Sequence, residues 1–189
     1  SSDLGGFFDR ASDAPAMGGL DVRRKAFQDS PTPSTNSAAA IVLDRLYGFT
    51  GNGLYREWAQ RTLEAFAALA PQFGLYAATY GLAALLHSRH TMQVVITGAV
   101  GDARASALEA AANSVYRLGK AVLRVTPETV AADALAHALR ETIPHLFAEE
   151  RASAAQAFVC VGTSCHPPVT APAKLVELLT APSLHAAAK

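Results

Sequence analysis

Cys160 and Cys165 are the two cysteines of this 189-residue chain, five positions apart, with His166 beside the second. A pair so spaced could bridge locally, exchange electrons or contribute to a metal site. Structural zinc normally takes four protein ligands and only three candidates cluster here, so no metal is expected. A redox pair is more often Cys-x-x-Cys at a helix N-terminus, where the dipole lowers the thiol pKa. Packing as small hydrophobes, or a local structural disulfide, is the plainer expectation, with the redox role kept beside it.

A second set of polar residues stands near the start of the chain: Asp9, Arg23, Lys25, Asp29, Ser34 and Asn36. Asp9 and Asp29 supply two carboxylates that could act as catalytic acid and base on a sugar. Arg23, Lys25, Ser34 and Asn36 are the matching substrate-binding candidates, the first two for an anionic group. Loop capping and surface ion pairing would use the same residues.

Other patterns promise less. Gly98-Ala99-Val100-Gly101-Asp102 joins a strand to a helix, where free amides can hold phosphate. It is Gly-x-x-Gly without the Lys-Ser/Thr ending of a P-loop, and Asp102 would repel an anion, so a tight turn is expected. Trp58, Tyr76 and Tyr80 could stack on a sugar, but at helical spacing they are expected in the core. His87 and His90 straddle a helix-to-strand junction, and His137 and His145 lie on or after a later helix. Neither His-Glu-x-x-His nor Gly-x-Ser-x-Gly occurs. No cofactor is expected.

The elements that must position these residues follow from composition and pattern. Half the residues are hydrophobic and 17% are charged, which describes a folded chain with a real core. Lys+Arg and Asp+Glu number 16 each, which leaves no electrostatic footprint for nucleic acid or anionic lipid. The most apolar region, 63–86, is cut by Pro71 and Gly74 into pieces too short to span a bilayer. Residues 1–20 show no apolar core behind a basic start, so no signal peptide is expected, and two cysteines make no disulfide scaffold, so the default setting is a reducing cytoplasm. The chain begins Ser1-Ser2-Asp3, and a fragment or trimmed chain is the expectation.

Residues 3–10 read as an extended segment and 11–35 mainly as loop. Ser34 or Asn36 is the N-cap expected for a helix over 37–47, stopped by Gly48 and Gly51-Asn52-Gly53. A second helix is expected over 54–69, ended by Pro71. A third, over 75–87, is apolar nearly all round and is expected to be buried. Short connections make such helices antiparallel hairpins. At Met92 the pattern changes: strand 92–98, helix 102–118, strand 121–125, helix 128–143, strand 158–161, then a last helix with Pro172 in its first turn. This alternation predicts βαβ units and a three-stranded parallel sheet. The fold class is therefore α/β, with a helical region over 1–88 and an α/β subdomain over 89–189.

Four stretches carry a family likeness: Gly5-Gly6-Phe7-Phe8-Asp9; Arg23-Arg24-Lys25 with Asp29 and Thr32-Pro33-Ser34-Thr35-Asn36-Ser37; Val94-Val95-Ile96-Thr97-Gly98; and Phe158-Val159-Cys160 through Cys165-His166-Pro167-Pro168-Val169-Thr170. In this order they resemble the C-terminal part of the thioredoxin-domain-containing YyaL family. Thr35 and His166 depart from it, standing where that family usually has glycine and glutamine. The resemblance implies a thioredoxin-like domain, without counterpart here, followed by an (α/α)6 toroid similar to six-hairpin glycosidases and acylglucosamine epimerases. Only the last helices of such a toroid and an α/β segment would fit in this chain. The expected role is a structural C-terminal portion; the alternative is an epimerase- or glycosidase-like site with Asp9 and Asp29. Expected partners are a sugar-like small molecule, a second copy, or the N-terminal part missing here, because truncated helical edges expose apolar surface. Nucleic acid and membrane are not expected partners.

Overall fold

A computed structural model describes residues 5–13, 15, 18, 22–131, 154–162 and 164–181. The chain divides into two compact units, residues 1–47 with 53–88, and residues 48–52 with 89–189.

The helical unit holds α1 (Thr35–Thr50), α2 (Gly53–Glu64), the single turn α3 (Ala70–Phe73), a 3-10 turn (Gly74–Ala77) and α4 (Ala78–His87). Ala40, Leu63 and Ala83, one from each of the three longer helices, form one buried cluster. Phe27, Phe66 and Ala77 form another. There Phe27 stacks on Phe66 at 4.9 Å between ring centroids and meets Phe73 and Tyr80 edge-on at 5.4 and 5.5 Å.

Four expectations change in this unit. The first helix does not stop at Gly48 but runs to Thr50, and Gly51, at φ 67°, ends it. An interior glycine costs about 1 kcal/mol, less than three turns of packed helix supply. The second helix ends at Glu64, short of the expected Leu69. The chain crosses 65–69 on tight bonds such as Phe66 N to Leu63 O at 3.1 Å, and Pro71 opens α3 instead. The third helical stretch is not buried all round. Ala83 and Leu86 are buried, but Leu75 is 91% exposed, Tyr76 57%, and Leu82 and Leu85 also face outward. Trp58 on α2, expected in the core, is 44% exposed. Apolar composition measures a preference for burial and does not supply the covering surface.

The second unit holds β1 (Met92–Thr97), α5 (Ala103–Ser114), β2 (Lys120–Val125), α6 (Pro127–Ala131), β3 (Gln156–Val161), β4 (Ser164–Cys165) and α7 (Pro172–Thr180). The sheet order is β2-β1-β3-β4. β1 and β2 are parallel, from Met92 opposite Lys120 to Thr97 opposite Val125. β3 is antiparallel to β1, with Met92 opposite Val161 and Thr97 opposite Gln156. The fold is thus mixed α/β with a four-stranded mixed sheet, in place of the expected three parallel strands. A run such as Phe158-Val159-Cys160-Val161 reports burial on two faces but carries no direction. Val94, Ile96 and Val159 pack under Leu108 of α5 and Leu175 and Leu179 of α7. Val95, Val125, Phe158 and Cys160 fill the opposite face. Beyond α6 the helix expected over 128–143, with His137 and His145, lies outside the described residues. No helix among the described residues is long and apolar enough to cross a membrane.

Candidate functional site

Asp29, Ser34 and Asn36 sit where the loop turns into α1, and each is committed to main chain. Ser34 Oγ accepts from Ser37 N at 3.1 Å, so Ser34 is the N-cap, and it donates to Ser37 Oγ at 2.6 Å. Asp29 Oδ1 accepts from Ser34 N at 2.7 Å and Oδ2 from Thr79 N at 2.8 Å. One carboxylate thereby ties the start of α1 to the start of α4. Burial pushes the Asp29 pKa up, but the amides of Thr79 and Ser34 together outweigh it and hold the carboxyl below its ordinary range. A carboxylate so held is poorly suited to donate a proton. Asn36 is buried: its Oδ1 accepts from Phe7 N at 2.6 Å, and its Nδ2 donates to Phe7 O at 3.0 Å and Ala26 O at 2.8 Å.

The remaining three candidates gather around Phe8. Segments 5–10 and 22–27 lie side by side, Asp9 N donating to Arg24 O at 2.8 Å and Asp9 Oδ1 accepting from Arg24 N at 2.9 Å. The Arg23 guanidinium carbon lies 4.1 Å from the Phe8 ring centroid and Lys25 Nζ 5.0 Å. Arg23 Nε donates to Arg10 O at 3.1 Å, and Lys25 Nζ donates to Gly5 O. Phe7, Phe8, Asp9, Arg10, Ser12 and Arg23 line an open depression of about 320 Å³. Asp29, Ser34 and Asn36 do not line it, so the two carboxylates are not paired across it. What the described residues offer there is one carboxylate, guanidinium groups and aromatic edges.

One polar cluster escaped the sequence reading. Asp44 of α1 is buried; its Oδ1 and Oδ2 lie 3.0 and 3.1 Å from His87 Nδ1 at the end of α4. Arg56 of α2 stands 3.9 Å from Asp44 and donates to His87 O at 2.7 Å. Burial pushes the Asp44 carboxyl above its ordinary range, against the opposing pull of His87 and Arg56. The three lie on three helices, so no spacing announces them. The available signal was Asp44 itself, a charge between the buried Leu43 and Ala40 and the aromatic Tyr47.

In the α/β unit, Cys160 and Cys165 are joined as a disulfide. The glycine turn after β1 leads to Asp102, whose side chain caps α5 by accepting from Arg104 N at 2.7 Å and Ala105 N at 3.4 Å. A carboxylate therefore occupies the amides that a phosphate would need. Arg124 donates to Ala99 O at 3.0 Å from the neighbouring strand. Among the described residues no three His, Cys, Asp or Glu side chains are grouped to hold a metal ion.

Neither a family model nor a solved structure matches the chain. Human spermatogenesis-associated protein 20 does, at 31% identity over 179 residues, 93% of this chain and 21% of that protein. This chain is a relative of spermatogenesis-associated protein 20. The likeness read from the four stretches agrees with that match. Because 93% of the chain aligns, the helical and the α/β units both fall within sequence shared with spermatogenesis-associated protein 20. The chain spans about a fifth of the length of this curated relative.

Proposed function

We propose that these residues are a structural, C-terminal portion of a longer protein of the spermatogenesis-associated protein 20 kind, and that the helical unit docks on further helices of that protein. The observation that carries this reading is the outward apolar surface of α1, α2, the 3-10 turn and α4: Val42, Leu54, Trp58, Leu75, Leu82 and Leu85 are all exposed. Complete burial of such a side chain from full exposure stabilises by about 1.5–3 kcal/mol; five of the six are about half covered already and would gain roughly half of that, so the set still favours a cover. The closing helices of an α/α toroid would present such faces to their neighbours. The match to only 21% of the relative supports the same reading, as does the use of Asp29, Ser34 and Asn36 in holding α1. Hydrogen exchange of this chain alone and within the full-length product of its gene tests it. Peptides from α2 and α4 are expected to exchange at least tenfold more slowly in the longer protein; equal exchange would overturn the docking role.

The depression beside Phe8, with Asp9 and Arg23 in its wall, favours a second reading: a carbohydrate-binding site. Thermal unfolding against sugars, amino sugars and sugar phosphates tests it. A ligand at about 100 times its Kd adds roughly 2.7 kcal/mol. A shift with one sugar class that Asp9→Asn abolishes supports the site, and no shift across the panel rejects it.

A further inference from the structure

β3 has β1 on one side, and its outer edge is covered by the short segment 164–169. Gly162, at φ 58°, turns the chain back after Val161, which places Val161 opposite Ser164 and Cys160 opposite Cys165. His166 N donates to Val159 O at 2.9 Å. Ala157 and Val169 exchange a pair of bonds, Ala157 N to Val169 O at 2.8 Å and Val169 N to Ala157 O at 2.9 Å. From 159 opposite 166 to 157 opposite 169 the outer segment has one residue too many, so it bulges at Pro167-Pro168. Neither proline has an amide proton to give the ladder. The cover is thus short and interrupted. The disulfide is the covalent tie across it.

The two sulfur-bearing residues differ sharply in access. Cys160 is 1% exposed and packs with Val95, Val125 and Phe158. Cys165 is exposed, on the outermost strand. Thiol–disulfide exchange requires a thiolate to reach a sulfur, so attack is favoured at the exposed residue, Cys165. We infer that the Cys160–Cys165 bridge is a thiol-operated latch: exchange with a dithiol reductant at Cys165 unfastens segment 164–169 and bares the outer edge of β3. The reductant's first thiolate attacks Cys165 Sγ, and the new S–S bond forms as the Cys160–Cys165 bond breaks. The electron pair leaves on Cys160 Sγ, which takes a proton from water; its apolar surroundings favour the neutral thiol. The second thiolate of the reductant then attacks the reductant's own first sulfur. This closes the oxidised reductant and releases Cys165 as a thiolate that is protonated in turn. Two electrons pass to the protein, and the dithiol becomes a disulfide.

What the latch controls is an edge. With segment 164–169 fastened, the outward amide of Ala157 and the carbonyls of Ala157 and Val159 are satisfied. Unfastened, they present a template that another strand can pair with. The bridge has one end in the core, at Cys160, and one on the outermost strand, at Cys165, unlike a disulfide buried at both ends.

The whole chain, oxidised and then treated with dithiothreitol without denaturant, is the material for the test. The bridge is expected to open in the folded protein at a rate within tenfold of that in urea. Brief alkylation of the reduced protein, mapped by fragmentation, is expected to label Cys165 at least tenfold faster than Cys160. On reduction the amides of Ala157, His166 and Val169 are expected to exchange at least tenfold faster, while those of Val94 and Val95 keep their protection as an internal control. The control also separates a latch from a chain that unfolds on reduction: loss of protection in Val94 and Val95 as well would show a structural staple and overturn the proposal. A bridge that dithiothreitol cannot open in the folded state, or amides unchanged on reduction, would overturn it too. Cys165→Ser, alone and with Cys160→Ser, is expected to reproduce the reduced exchange pattern without any reductant.

Discussion

Asn36 makes three hydrogen bonds to the main chain of two other segments while its own side chain is buried. Alanine there would remove three bonds to the part-buried groups Phe7 N, Phe7 O and Ala26 O, each worth about 1 kcal/mol. Asn36→Ala is expected to lower stability by about 3 kcal/mol in urea unfolding, and Asn36→Leu, of similar size, not to rescue it. Asp29 gives a pH dependence with a definite sign. Its folded pKa lies below its unfolded one, so the folded state binds its proton less tightly. The stability it contributes is complete above the unfolded value of about 3.9 and is lost as the pH falls through the lower folded value. Urea midpoints measured from pH 5 downward are expected to fall more steeply for the wild type than for Asp29→Asn. Parallel slopes would show that the carboxylate is not what ties α1 to α4.

At the scale of elements, the turn after β1 carries the clearest constraint. Gly98 has φ 137°, a region that L side chains rarely adopt, and a Cβ there would lie 2.7 Å from the Cβ of Ala105. The missing side chain is what lets α5 start close against the end of β1. Gly98→Ala is expected to cost about 3 kcal/mol, from backbone strain and forced separation together, read by chemical denaturation. Most elements of this unit, including the helix over 103–114 and the strands over 120–125 and 156–161, were legible in advance. The strand over 92–97 and the helix opened by Pro172 follow from a β-branched run and from proline in a first turn. The direction of β3 was not, because a strand buried on both faces has the same composition whichever way it runs.

At the scale of the whole molecule, the outward leucines and Trp58 set the expectation for behaviour in solution. They make self-association of the isolated chain the expected state at high concentration. Trp58→Lys with Leu75→Lys is expected to shift sedimentation velocity profiles toward the monomer. The cost to stability should be within about 0.5 kcal/mol at Leu75 and larger at Trp58, which is over half covered and whose ring meets Tyr55 edge-on. A double variant that associates as strongly as the wild type would place the sticky surface elsewhere.

Local chemistry was what the sequence determined by itself: caps such as Ser34, the punctuation of glycine and proline, and apolar runs that had to be strands or helices. These depend on contacts within a few residues, which spacing encodes. The four stretches that carry the likeness to the family were legible for the same reason, since they are runs of neighbours. Only the tertiary structure decided what depends on distant residues meeting. It closed Asp44, His87 and Arg56 into one cluster from three helices, and it set β3 against β1 in the antiparallel sense. It committed Asp29 and Asn36 to main-chain groups up to 50 positions away, and it left Asp9 and Arg23 at an open depression. An apolar residue states that it prefers burial, and a carboxylate that it prefers a donor. Which surface or which donor answers is a property of the folded chain, because it is fixed by the packing of elements that do not adjoin in sequence.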